Sequence, residues 1–168
     1  PWRVGNTYNT SIGQGDMVLT PLRLLTFINS IAASGVMYRP FVAQDIIGVD
    51  GKVMQHVDPT TLRDYAAEFA QELKEVQRGM RDAVTMPYGT AHAMNDLPMR
   101  VSGKTGSAQI NYNTKVNAFF VGFAPSEDPE IGLLILVEDA KDGSINTLPI
   151  AHDILEWYYY NNSPLSNT

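Results

Sequence analysis

The chain has 168 residues, 44% of them hydrophobic and 18% charged, with 12 Lys and Arg against 18 Asp and Glu for a formal net charge of −6. That length suits one domain, and the composition is globular rather than disordered. The lack of cysteine excludes a disulfide scaffold, a thiolate zinc site and a cysteine nucleophile, and the acidic balance argues against a general nucleic-acid binder.

The chain opens Pro1-Trp2-Arg3, with no initiator Met and no signal peptide, which suits a processed product, an engineered piece or a fragment of a longer protein. No apolar run approaches the roughly 18 residues of a membrane span; the longest, Ile131 to Val137, has strand length. Pro1 to Gly15 carries three glycines among Asn, Thr and Ser and reads as irregular. A helix follows, with Thr20 as N-cap, Pro21 at the first position and Gly35 closing it. Its apolar residues, Leu22 to Ile31, cover well over half the circumference, so burial on several sides is expected. Ile46, Ile47 and Val49 before Asp50-Gly51, with Val53 and Met54 after, predict a hairpin. Asp58-Pro59 is read as the start of a helical region. A longer helix from about Glu68 to Val84 follows from Phe69, Leu73, Val76, Met80 and Val84 at spacings of three and four. Strands are expected over Met99 to Ile110, Val116 to Phe123 and Ile131 to Glu138, the last fully buried, with the turn-rich Ala124 to Glu130 as a hairpin connection. A last helix fits Leu148 to Tyr160, ahead of a polar tail over Asn161 to Thr168. Helices, then consecutive antiparallel strands, then a closing helix make an α+β fold, an antiparallel sheet flanked by helices.

The densest chemistry lies in Ser102-Gly-Lys-Thr-Gly-Ser-Ala-Gln109, with one cation, three hydroxyls and two glycines on one expected strand. Glycine leaves backbone N–H groups approachable by a ligand. Lys104 offers charge, Thr105 and Ser107 can hydrogen-bond a carboxylate, and a backbone N–H can face a developing oxyanion. Alternation along a strand puts Lys104 on the face opposite Thr105 and Ser107, unless twist at the glycines brings them together. A Walker A loop would need glycine at 98, where Pro98 stands, and no helix opens after Gly103-Lys104-Thr105. A Gly/Ser-rich turn without chemistry is the bland alternative.

The segment around Lys104-Thr105-Gly106 resembles the Lys-Thr-Gly motif of penicillin-binding proteins and serine β-lactamases. Ser11-Ile-Gly-Gln-Gly15 with Leu19-Thr-Pro-Leu22, then Gly89-Thr-Ala-His92, then Asn117 to Pro125 resemble class B penicillin-binding proteins in order and spacing. Trp2, Gly5 and Asn9 are similar to the elongation type of that class. The resemblance runs from Trp2 to about Tyr160. It implies that residues 1–160 are the C-terminal part of a transpeptidase domain and that 161–168 form the tail.

The family's Ser-x-x-Lys nucleophile motif is missing from the chain, and the one Ser-x-Asn match, Ser144-Ile145-Asn146, falls after the Lys-Thr-Gly strand and is read as chance. Ser107 stands where many class B members carry Thr. By the resemblance, Lys104 and Ser107 are catalytic. Lys104 supplies positive potential and holds the serine of the missing Ser-x-Asn motif in a hydrogen-bonded network. The Ser107 N–H forms half of an oxyanion hole. Thr105, Gly106, Ser107 and Gln109 bind substrate, a D-alanyl-D-alanine stem peptide or a β-lactam that mimics it. No cofactor, metal or nucleic acid is implied. The implied partners are the N-terminal half of the same domain, which carries the nucleophile, and a membrane glycosyltransferase of the elongation machinery. The implied location is the extracytoplasmic, periplasmic face of the bacterial cytoplasmic membrane, anchored by a segment outside this chain. Alone, the chain would have no turnover. The rival reading is a non-catalytic binding or sensor module of the same shape.

Other features have plainer readings. His56, His92 and His152 are scattered and read as ordinary histidines; Glu127, Asp128 and Glu130 as a solvated turn; Glu138, Asp139 and Asp142 as a charged loop. Trp157 to Tyr160 spread around a helix, so one or two should pack inward. Met80, Met86, Met94 and Met99 read as packing residues. Asn9-Thr10-Ser11 and Asn161-Asn162-Ser163 match a short glycosylation pattern with a high chance rate.

Overall fold

The computed structural model describes residues 2–11, 13, 18–110, 115–141 and 144–162. Most of the Ile-Gly-Gln-Gly stretch, Asp142, Ser163 and the rest of the tail lie outside the described residues, as do the side chains of Ser144 and Ile145. In chain order the elements are α1 (Val4–Ser11), α2 (Pro21–Ala32), β1 (Val36–Tyr38), β2 (Asp45–Ile47), β3 (Val53–His56), β4 (Thr61–Asp64), α3 (Ala70–Thr85), a 3₁₀ turn (His92–Met94), β5 (Ser102–Ile110), β6 (Lys115–Ala124), β7 (Ile131–Ala140) and α4 (Ser144–Asn161). The α+β expectation holds: β5, β6 and β7 form an antiparallel three-stranded sheet in sequence order, with helices on both faces.

Alternation along β6 decides which helix takes which face. Phe120 and Ala124 point toward α4, where Ala151 and Leu155 are buried with them. Val121 and Phe123 point the other way, toward Ile28 and Ile31 of α2 and Met80 of α3. Helix α3 serves both sides, since Val84 joins the first cluster and Met80 the second. Arg81 on α3 donates from Nη1 to the Val101 carbonyl at 2.8 Å, which ties the helix to the start of β5.

Helix α2 begins as its sequence dictates, with Thr20 Oγ1 accepting from the Arg23 N–H at 3.2 Å and Pro21 at the first position. It ends at a residue only glycine can supply. Gly35 has φ +108°, and a Cβ there would lie 2.6 Å from the Ala66 nitrogen. Asn29 of the same helix presses on the sheet, its Oδ1 1.9 Å from where a Cβ on Gly132 of β7 would sit.

Several expectations are corrected. The first fifteen residues are not all irregular: Val4–Ser11 is helical, held at its start by the Asn6 side chain accepting from the Arg3 N–H at 3.1 Å. Asp58-Pro59 leads into a strand, not a helix, because Thr61–Asp64 finds an antiparallel partner in β1. Helix α2 is covered on one side only; Ile28 and Ile31 are buried, while Leu22 and Phe27 are exposed. In α3, Met80 and Val84 form the buried stripe, Val76 is exposed and Phe69 precedes the helix. Strand β7 is half-buried along Ile131 to Val137 rather than fully buried, since α2 and α4 each cover one face in part. Helix α4 starts four residues earlier than expected and carries Pro149 inside it. The Asp-Gly hairpin is present as β2 and β3, with Gly51 at φ +78°. In α4, Tyr158 and Tyr159 pack on the core while Trp157 and Tyr160 are exposed.

Candidate active site

Strand β5 is an edge strand among the described residues, pairing with β6 alone. Its register is regular from Ser102 opposite Phe123 to Ile110 opposite Lys115. Alternation therefore holds, and the glycines introduce no twist that reverses it. Thr105, Ser107 and Gln109 share the face of Phe120, whereas Lys104 and Gly106 share the face of Val121. Lys104 Nζ donates to the Thr105 carbonyl at 2.5 Å, so the ammonium comes back to the strand's own backbone. Lys104, Ser107 and Gln109 are exposed, and Thr105 and Gly106 half-buried, so the five residues from Lys104 to Ser107 and at Gln109 lie along one accessible strand.

The start of the motif belongs to the core instead. Ser102 is buried and its Oγ donates to Ser126 Oγ at 2.9 Å. Gly103 is a packing glycine: a Cβ there would lie 2.7 Å from Phe120 Cε2. Opposite it, a Cβ on Gly122 would lie 2.6 Å from the Ser102 carbonyl oxygen. Of the two glycines assigned to ligand approach, Gly106 alone fits that part. Among the described residues, a Cβ there meets nothing closer than Phe119 Cβ at 3.6 Å, which is ordinary contact.

A neighbour missed in the roles given above is Thr90. Its Oγ1 lies 2.8 Å from Thr105 Oγ1, and the two share a hydrogen bond. The turn that carries it is latched to the end of α3. The Gly89 N–H donates to the Met86 carbonyl at 2.8 Å and the Ala91 N–H to the Ala83 carbonyl at 3.0 Å. His92 Nδ1 lies 2.9 Å from the Val84 carbonyl oxygen. The Gly89-Thr-Ala-His92 motif was the available signal, although it carried no hint of a hydrogen bond to Thr105.

Charge near the start of β5 is paired. Arg100 Nη1 meets Glu127 Oε1 at 2.5 Å, and this hydrogen bond holds the Glu127 carboxyl below its ordinary range. Burial, reinforced by Arg100, lowers the Arg81 pKa. The acidic turn is therefore not merely solvated: Glu127 is tied to Arg100, and Glu130 Oε2 accepts from the Tyr158 hydroxyl at 3.4 Å. Asp139 pairs with Lys115 at 2.8 Å. The three histidines are apart, His56 against Asp45, His92 on α3 and His152 against Asp96. Among the described residues no group of three His, Asp or Glu could hold a metal, and no helix is long and apolar enough to cross a membrane.

Such an edge strand, with two hydroxyls on one face, an ammonium at its backbone and an uncrowded glycine, can bind an extended chain ending in a carboxylate. Comparison with known proteins gives the family. Residues 1–156 match the family model described as the penicillin binding protein transpeptidase domain. The chain is 28% identical over 174 residues to the peptidoglycan D,D-transpeptidase MrdA of Haemophilus influenzae, covering 94% of this chain and 26% of that protein. It thus spans about a quarter of the length of that curated relative. Among solved structures it is similar to the ceftriaxone acyl-enzyme complex of penicillin-binding protein A from M. tuberculosis, with TM-score 0.77 and 26% identity over 88% of this chain and 34% of that one. It is also similar to Pseudomonas aeruginosa PBP2 in complex with WCK 5153, with TM-score 0.75 and 28% identity over 97% of this chain and 35% of that one.

Proposed function

This chain belongs to the penicillin-binding protein transpeptidase domain family, and on that premise we propose that residues 1–160 are the C-terminal part of an elongation-type peptidoglycan D,D-transpeptidase, with 161–168 as its tail. The complete protein cross-links stem peptides by serine acyl transfer and is acylated by β-lactams. This chain contributes the Lys-Thr-Gly strand, and an upstream part of the same domain contributes the nucleophile and the Ser-x-Asn motif. The observation that carries the reading is the edge strand β5, where Thr105 and Ser107 share one face and the Lys104 ammonium returns to the Thr105 backbone.

The roles follow from the chemistry of each group. Thr105 and Ser107 hydroxyls donate to the terminal carboxylate of the stem peptide, or to that of a β-lactam. Gly106 leaves the strand uncrowded on the Lys104 side, and Gln109, two residues beyond Ser107 on the hydroxyl face, contacts the peptide further from its terminus. The serine oxygen attacks the carbonyl carbon of the penultimate D-alanine. Charge then develops on the carbonyl oxygen, and the Ser107 N–H is half of the hole that receives it. The C–N bond to the last D-alanine breaks, and that residue leaves as a free amine carrying the serine's proton. An amine of a second stem peptide attacks the ester, forms the new amide and returns a proton to the serine. Lys104 supplies positive potential throughout and holds the serine of the Ser-x-Asn motif.

The reaction belongs on the extracytoplasmic face of the bacterial cytoplasmic membrane, where its substrate lies, with an anchor supplied from outside this chain. A membrane glycosyltransferase that makes the glycan strands is its natural partner. By itself the chain should have no turnover. The test is Lys104→Ala in the complete protein, with acylation by benzylpenicillin followed by intact mass spectrometry. The acylation rate should fall on the order of 10²–10³-fold, as for loss of one preorganised electrostatic group. An unchanged rate would sink the role given to Lys104.

A further inference from the structure

We propose that Thr90 is a positioning residue for the Thr105 hydroxyl, turning its single proton toward the substrate carboxylate; this rests on the transpeptidase reading and deepens it. A threonine hydroxyl has one proton and two acceptor lone pairs. In this structure the Thr105 and Thr90 Oγ1 atoms lie 2.8 Å apart and share one hydrogen bond, which either hydroxyl can donate. A Thr105 proton committed to Thr90 is withheld from a carboxylate, which can only accept. Both hydroxyls rotate, so the pair can reverse with its two oxygens in place. Thr90 then donates to Thr105, and Thr105 donates to the carboxylate. Two hydroxyls in a row polarise one another, which makes the outer donor stronger than a lone threonine.

The reversal needs Thr90 held at that distance, and its neighbours hold it. A Cβ on Gly89 would stand 2.2 Å from the Ala83 carbonyl oxygen, so the turn lies directly on the backbone of α3. Ala91 is fully buried and donates its N–H to that same carbonyl. His92 Nδ1 lies against the Val84 carbonyl oxygen. Thr90 itself is exposed between these locked residues, so packing does not account for it. What it contributes is a hydroxyl brought from α3 to the site strand.

The experiment compares wild type, Thr90→Val and Thr90→Ser in the complete protein. It measures acylation rate constants for benzylpenicillin and for its methyl ester, which lacks the anionic carboxylate. Valine keeps the shape and removes the hydroxyl; serine keeps the hydroxyl. Thr90→Val should slow acylation by benzylpenicillin about 5–10-fold, the scale of one hydrogen bond between neutral groups. It should change acylation by the ester less than about twofold, and Thr90→Ser should acylate like wild type. Equal slowing with both compounds would mean a general structural role and would overturn the inference, as would no slowing with either. Failure of the wild-type protein to be acylated by either compound overturns the transpeptidase reading itself, and this inference with it.

Discussion

A methyl group on Gly103 would stand 2.7 Å from the Phe120 ring, which is fully buried and backed by α4. The ring cannot swing clear, so the strand must shift. Gly103→Ala should therefore destabilise the protein by about 1–3 kcal/mol, the range for overpacking a filled core, measured as a lower urea midpoint with an unchanged slope. Gly106→Ala is the contrast, because 3.6 Å to Phe119 Cβ is ordinary contact. It should leave the midpoint nearly unchanged and slow acylation instead. This division between two glycines of one motif was not legible in the sequence. Which one is crowded depends on Phe120, a residue on the neighbouring strand. That Lys104, Thr105 and Ser107 share one strand with alternating faces was legible, because alternation is a local property of the chain. The burial of Ser102 was not legible, because its partner, Ser126, lies beyond a strand and a turn.

At the scale of elements, hairpin β2–β3 carries its own pH dependence. His56 Nδ1 lies 2.6 Å from Asp45 Oδ1, and its Nε2 lies 3.6 Å from Asp58 Oδ1. The Asp45 hydrogen bond raises the His56 pKa, desolvation opposes it, and the charges of Asp45 and Asp58 add to it. A raised folded pKa gives stabilisation that is fully present below the unfolded value and is lost as pH rises through the folded value. Hydrogen exchange at the Val57 N–H, which donates to the Gln44 carbonyl at 2.8 Å, should report this. After correction for intrinsic rates, protection should be greater below about pH 6 than above about pH 8. Asp45→Asn should flatten the difference; a flat profile in the unsubstituted protein would refute the link. The hairpin itself was legible from Asp50-Gly51, since turn chemistry is local. Strand β4 was not, because Thr61–Asp64 becomes a strand only by pairing with β1, more than twenty residues earlier. The α1 helix escaped notice because its glycine and asparagines read as loop residues, and no buried face marks it.

At the scale of the whole molecule, Phe120 of the sheet is buried in one cluster with Val84 of α3 and Leu155 of α4. Phe120→Ala should cost about 3–5 kcal/mol. The loss should appear as one cooperative shift in thermal unfolding rather than as local loosening, because both helices contribute to the same buried cluster. Persistence of the unsubstituted melting temperature would contradict that account. The architecture as a class was legible from the order of periodic segments. The share of each face that is covered was not. Leu22 and Phe27 of α2 and Ile150 and Trp157 of α4 are apolar yet exposed among the described residues, and periodicity reports apolar faces without reporting what covers them.

The three strands of the main sheet are consecutive in the chain and lie side by side in that same order. Each therefore meets its neighbour across a short loop, and little chain entropy is lost in closing it. Folds dominated by such near-neighbour contacts form quickly, whereas those that wait on distant segments form slowly. For β5 this fixes the timing of assembly. Its pairing with β6, and with it the facing of Thr105, Ser107 and Lys104, can be complete before any distant segment arrives. Strand β5 is then a template that later-arriving segments dock onto, rather than a last piece fitted into place.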